Sequence, residues 1–259
     1  MDGDGGGHDA GCRVKKQTLG RFGYGAAAIG FGVCGLIWPA FERWPLIGAL
    51  GSVPHREVLP YLIAAVEILG GIAILVPRTV RLGAVALGAV YLTFCVLAFP
   101  SIVAHPLVYY GYGNFFEQLS FVAGATIVYA CCGKTTRATT RLAWTGYYAF
   151  GLCVLSFALE QAFYISQTAS AVPKWIAPGA LFWAWLTTAA FALAAIGLLA
   201  RLMPRLAARL TAAMIAAFGL LVWVPALVTG PHVLANWTES AETLGIAAVA
   251  WIVAEFLDR

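Results

Sequence analysis

Apolar residues in this chain gather in long unbroken runs separated by short polar stretches. Crossing about 30 Å of hydrocarbon takes ~20 helical residues. Eight runs approach that length, at roughly 19–41, 58–76, 81–99, 115–132, 143–164, 179–200, 206–224 and 241–257, the last of them short. Backbone polar groups find no water partner inside lipid, so each run predicts a helix; the alternation of a barrel strand is absent. The expectation is an all-α polytopic membrane protein with eight transmembrane helices and both termini on one side.

Composition narrows the class. Of 259 residues, 61% are apolar or aromatic and 11% are Asp, Glu, Lys or Arg, whereas a soluble domain carries about a quarter charged residues. A mean hydropathy of +0.82 agrees. These values exclude a water-soluble globular enzyme, a disordered chain, a collagen and a coiled coil. The net charge of +4 matters through its placement. With eight spans, thirteen Lys and Arg fall on one side and three (Arg43, Arg56, Lys174) on the other. The positive-inside rule makes the basic side cytoplasmic, predicting a bacterial-type inner membrane protein with both termini inside.

The two halves read as one design written twice. GYGAAAIGFGVCGLIWPAF (23–41) aligns with GYYAFGLCVLSFALEQAFY (146–164) at a shift of 123 residues, and VEILGGIAIL (66–75) with FALAAIGLLA (191–200) at 124–125. FPSIVAHP (99–106) matches VPALVTGP (224–231), and EQLSFVAGATIVYA (117–130) matches ETLGIAAVAWIVAE (242–255), both at 125. An even number of spans per copy makes the repeats parallel. The predicted organisation is a flexible cytoplasmic tail (1–17), a first four-helix unit (18–133), a linker (134–142) and a second unit (143–259) about a pseudo-twofold axis along the membrane normal. Tight turns are expected on the inner side, at Pro77-Arg78 and Met203-Pro204, and connections of about 15 residues on the outer side.

Candidate chemistry is sparse. Glu67 lies near the middle of the second span and is followed by Gly70-Gly71. An ionisable group at that depth costs about 3 kcal/mol on insertion scales, which makes it a functional candidate; a neutral Glu bonded to a neighbouring helix is the structural alternative. Its repeat mate is Phe191. His55, His105 and His232 map to the outer face, with Glu42, Glu57, Glu117, Glu160, Glu239 and Glu242. Glu117 and Glu242 are repeat mates. Carboxylate with imidazole can handle quinone protons or ligate a metal, but the spacing fits no metal motif, and each His taken alone reads first as a satisfied loop residue. The resulting site has Glu67 at its floor, His105 and Glu117 at its mouth, and Gly70, Gly71, Tyr109 and Asn114 as ligand contacts. No His lies deep in facing helices, which disfavours haem. No nucleotide fingerprint or nucleophile elbow occurs, so neither nucleotide nor nucleic acid is expected. The six Cys form no C-x-x-C pair; Cys131-Cys132 reads as packing or as a redox dithiol. NWT (236–238) fits a common glycosylation pattern.

These features resemble the DoxX-like family of small four-helix membrane proteins. The resemblance rests on LGRFGYGAAAIGFGVCGLIW, PYLIAAVEILGGIAIL with Glu67, the turn into PRTVRLGAVALGAVYL, and GYGNFFEQLSFVAGA entering the fourth helix. It covers 19–132 well and 143–257 as a degenerate second copy. It implies membrane redox chemistry linked to quinone, as in thiosulfate:quinone oxidoreductase, and work with a partner enzyme. Two functions compete: a redox subunit binding quinone near the outer leaflet, and a non-catalytic anchor that assembles a larger complex in the bilayer. Transport is less suited, since the multiple mid-membrane polar groups it needs are missing.

Overall fold

The computed structural model describes residues 19–38 and 58–258. The Gly-rich tail, Glu42, His55 and Glu57 lie outside the described residues. Within them every regular element is helical. In chain order these are α1 (Leu19–Ile37), α2 (Leu59–Leu75), α3 (Val80–Ala104), α4 (Tyr110–Cys131) and α5 (Arg137–Phe163). There follow the short α6 (Ile165–Ala171), α7 (Ala180–Leu199), α8 (Pro204–Thr229) and α9 (Leu234–Leu257). Six of them, α1, α3, α5, α7, α8 and α9, are long and apolar enough to cross a membrane; α2 is a shorter apolar helix. The chain is an all-α membrane protein.

Local signals explain the boundaries. Thr136 and Thr139 form a reciprocal capping box that starts α5, satisfying two donors that a helix start leaves unpaired. Pro204 opens α8, where its missing N–H costs nothing. Two expectations fail at the other end of the molecule. The connection after α3 covers only residues 105–109 and the one after α8 only 230–233, where about 15 residues were expected. The reason is that helix continues through both prolines. Pro100 sits inside α3, and in α8 a π turn at Gly219–Trp223 precedes Pro225. The last helix is not short either. Its first turn is tied down by Asn236, whose amide donates to the carbonyls of Ala226 and Gly230 at 2.9 and 3.0 Å. Trp237 does the same to Pro231 at 2.8 Å. The third outer connection folds partly into α6.

The helices close a ring. α1 packs on α2, α2 on α3, α3 on α4, and α4 on α5; then α5 packs on α7, α7 on α8, α8 on α9, and α9 back on α1. α4 and α9 also meet across the centre. α1, α5 and α9 are among the most buried spans, while α3, α7 and α8 expose broad apolar faces. Leu69, Leu82 and Leu193, each more than 60% exposed, point outward. Hydrocarbon is a suitable environment for such faces and water is not.

Small residues set the helix spacing, since lipid offers no hydrophobic push between helices. A Cβ on Gly71 would lie 2.8 Å from the Gly25 carbonyl, and one on Gly25 would lie 3.0 Å from the Gly71 carbonyl. Tyr24, Phe31, Tyr91 and Phe121 fill the centre of the first half with mutual ring contacts of 4.7–6.4 Å. The Tyr24 hydroxyl donates to the Phe121 carbonyl at 2.9 Å.

Arginines gather at one end. Arg81 lies 4.1 Å from the Tyr129 ring centroid beside the end of α4, and Arg201 lies 4.5 Å from that of Trp144. Arg205 Nε donates to the Leu257 carbonyl at 2.7 Å, and Arg209 pairs with Asp258 at 2.7 Å. Cations suit helix C-termini, where the carbonyls carry partial negative charge. The exposed ion pair is worth at most about 1 kcal/mol. Cys131 and Cys132, half-buried nearby, are not disulfide-bonded.

Candidate functional site

At the end opposite the arginines, a cavity of about 650 Å³ opens among α4 to α9. Its inner wall is aromatic and aliphatic: Phe157 of α5, Phe191 of α7, Ile215 and Phe218 of α8, and Ile246 of α9. Phe191 meets Phe157 and Phe218 edge-on, with centroids 5.9 and 6.2 Å apart. Nearer the opening stand Tyr110, Tyr164 and Trp223. The helices converge here because each turns an aromatic or β-branched side chain inward at this level, and these rings hold them apart around a space.

Three carboxyl groups enter that space, from Glu117 (α4), Glu160 (α5) and Glu239 (α9). Glu117 also hydrogen-bonds the Glu242 carboxyl one turn along α9. Glu160 lies against the first turn of α4, filling the room left by Gly113; a Cβ there would collide with its carboxylate. That places its charge at the positive end of a helix dipole. Gln161 accepts from the hydroxyls of Thr187 and Thr188, both at 3.2 Å. Among the described residues no Lys, Arg or His lines the cavity. Two like charges about 4 Å apart repel by roughly 4 kcal/mol at an effective dielectric of about 20. Where two carboxyls approach that closely, as Glu117 and Glu242 do through their hydrogen bond, one of them carries a proton.

The residues expected from sequence divide between this cavity and other places. Glu117 lines it. Tyr109 stands at its edge, its hydroxyl 3.0 Å from Ser156 Oγ, its ring stacked on Tyr112 and packed on Phe163. Burial pushes the Tyr109 phenol above its ordinary range, partly offset by the Ser156 hydrogen bond, so it stays a neutral hydrogen-bonding group. Asn114 is half-buried on α4 and is not in the lining. His105 is exposed just beyond α3 and does not reach the cavity. Glu67 is elsewhere: it is 1% exposed on α2 and close enough to Tyr24 to act on its phenol electrostatically. Gly70 and Gly71 serve packing, because a Cβ on Gly70 would strike Leu87 at 2.9 Å and one on Gly71 would strike α1. The structure thus separates Glu67 and His105 from Glu117, and the cavity takes most of its lining from α5 to α9.

Sequence reading missed the lining set of Phe157, Phe191 and Phe218. The available signal was the repeat register, in which Phe191 takes the place of Glu67 and Phe157 the place of Cys34. Glu160 and Glu239 appeared only as members of a general outer-face group. No family model, curated protein or solved structure matches the chain.

Proposed function

We propose that this protein is an eight-span membrane subunit, built from two parallel four-helix units, that holds a small amphiphilic ligand in the chamber between α4 and α9. The arginine-rich end faces the cytoplasm and the chamber faces outward. The duplicated reading is supported by helix neighbours that recur in order: α1–α2–α3–α4 is matched by α5–α7–α8–α9, with the two fourth helices meeting at the centre. The orientation is supported by the positive-inside rule.

The observation that carries the functional reading is one chamber with an apolar aromatic wall and a cluster of carboxyl groups at its entrance. Its volume falls in the range of small-molecule sites. The resemblance to DoxX-like proteins supplies a redox setting with quinone and a partner enzyme. Aromatic walls can stack a flat ring, and carboxylates can accept hydrogen bonds from quinol hydroxyls. The protein is to be purified in nanodiscs with native lipids, and its extract examined by mass spectrometry and by redox difference spectra. Phe191→Trp, which fills the chamber, should remove whatever bound species the wild type retains. A co-purifying ligand unaffected by Phe191→Trp, or an empty wild type that refuses every added ligand, leaves the anchor function in place.

A further inference from the structure

The sign of the chamber suggests its occupant. Glu117, Glu160 and Glu239 bring carboxyl groups, and among the described lining residues no cationic side chain answers them. Hydroxyl, amide and indole donors of Tyr110, Tyr164, Gln167 and Trp223 also stand in the lining and would suit a quinone carbonyl, so it is the carboxyl groups, not a lack of donors, that argue for a cation. Among the described residues no three His, Cys, Asp or Glu side chains are grouped closely around one point, so these carboxyl groups stand around the space and suit a diffuse charge more than a small ion. The rings of Phe157, Phe191 and Phe218 would face such an ion without ligating it. What both halves of the lining suit is a positive charge carried on an apolar body. Ring faces attract cations through their quadrupoles, and carboxylates complete the neutralisation that their own crowding requires.

We propose that the chamber binds a lipophilic organic cation, with its charged centre among Glu117, Glu160 and Glu239 and its apolar body against Phe157, Phe191 and Phe218. This rests on the chamber being a ligand site and adds the class of ligand. The cation enters from the outer end, where Glu239 is exposed and meets it first. Glu160, seated in the gap at Gly113, marks the depth at which the charge stops.

Equilibrium binding of radiolabelled tetraphenylphosphonium to the full chain in nanodiscs of neutral lipid tests this, with decylubiquinol as the uncharged probe. Saturable binding of the cation at one site is expected. Glu160→Gln should weaken it at least tenfold, and Glu239→Gln several-fold. Glu239→Gln also guards against misfolding, because the side chain lies at an exposed mouth. Glu255→Gln, at the far end of α9, should change nothing. Binding of decylubiquinol that Phe191→Trp abolishes, with no saturable cation binding, overturns the cation class and keeps the chamber. Failure of both probes to bind overturns the chamber reading as well. Cation binding that Glu160→Gln and Glu239→Gln leave intact places the site elsewhere and also overturns the proposal.

Discussion

At corresponding depths the two halves hold opposite residues, Glu67 on α2 and Phe191 on α7, and their surroundings are opposite too. Around Glu67 the first half is packed. Tyr24, Phe31, Tyr91 and Phe121 fill the centre, and Gly25 and Gly71 bring α1 and α2 nearly to backbone contact. Phe191 is also buried, at 3% exposed, but its ring and those packed on it share the lining of a chamber. The polar residue is enclosed and the apolar one borders the cavity. A carboxyl group at bilayer depth therefore need not mark a ligand site; here the packing around a position says more than the residue at it.

Substitutions that exchange these properties test the contrast. The largest effect is expected from Gly71→Leu. The added side chain meets the Gly25 carbonyl and the Ile29 backbone, which cannot yield as a flexible side chain would. A loss of about 3 kcal/mol or more, or failure to accumulate folded protein, should appear in thermal unfolding in detergent. A fully stable Gly71→Leu protein would show that α1 and α2 are not held this closely.

Next in size is Phe191→Ala. Removing a fully packed Phe costs about 3–5 kcal/mol, but Phe191 already borders empty space, so about 2 kcal/mol is expected, with a clear fall in ligand binding. A loss of stability as large as a core truncation would mean that the chamber is filled in solution. Glu67→Gln should be milder: it keeps shape and hydrogen bonding, and a fall in stability under about 1 kcal/mol with unchanged ligand binding is the outcome expected of an enclosed structural residue. Loss of ligand binding in Glu67→Gln would return the site to the first half. The smallest perturbation is Ser170→Cys on the exposed face of α6. It should leave stability alone and be modified by an impermeant maleimide in intact cells; labelling only after permeabilisation would invert the orientation.

Most of the helices were legible because the cost of unpaired backbone in lipid leaves one solution for a long apolar run. Their ends were less so. Continuation of α3 through Pro100 and the tethering of α9 by Asn236 and Trp237 depend on contacts that no local pattern announces. The candidate site was legible in its residue types and less so in its grouping. Glu117 was singled out and lines the chamber. Glu160 is drawn in by a gap at Gly113, on another helix, and that proximity exists only once α4 and α5 are packed. Glu67 stood out because its sequence depth is visible and its neighbours are not.

The π turn at Gly219–Trp223 has a history in the numbering. Under the duplicated reading, Phe94 and Phe218 correspond at a shift of 124 residues and Pro100 and Pro225 at 125, which puts one extra residue between these landmarks in the second copy. A helix that accepts an extra residue without breaking stores it as a single wide turn, and the wide turn occupies that interval. On that reading, α8 is a copy of α3 carrying a one-residue insertion, and Phe218 just before the wide turn and Trp223 at its end both line the chamber. Deleting Leu220 should restore an ordinary helix and swing Trp223 by ~100° around the axis. Removal of one codon would undo this difference between α3 and α8.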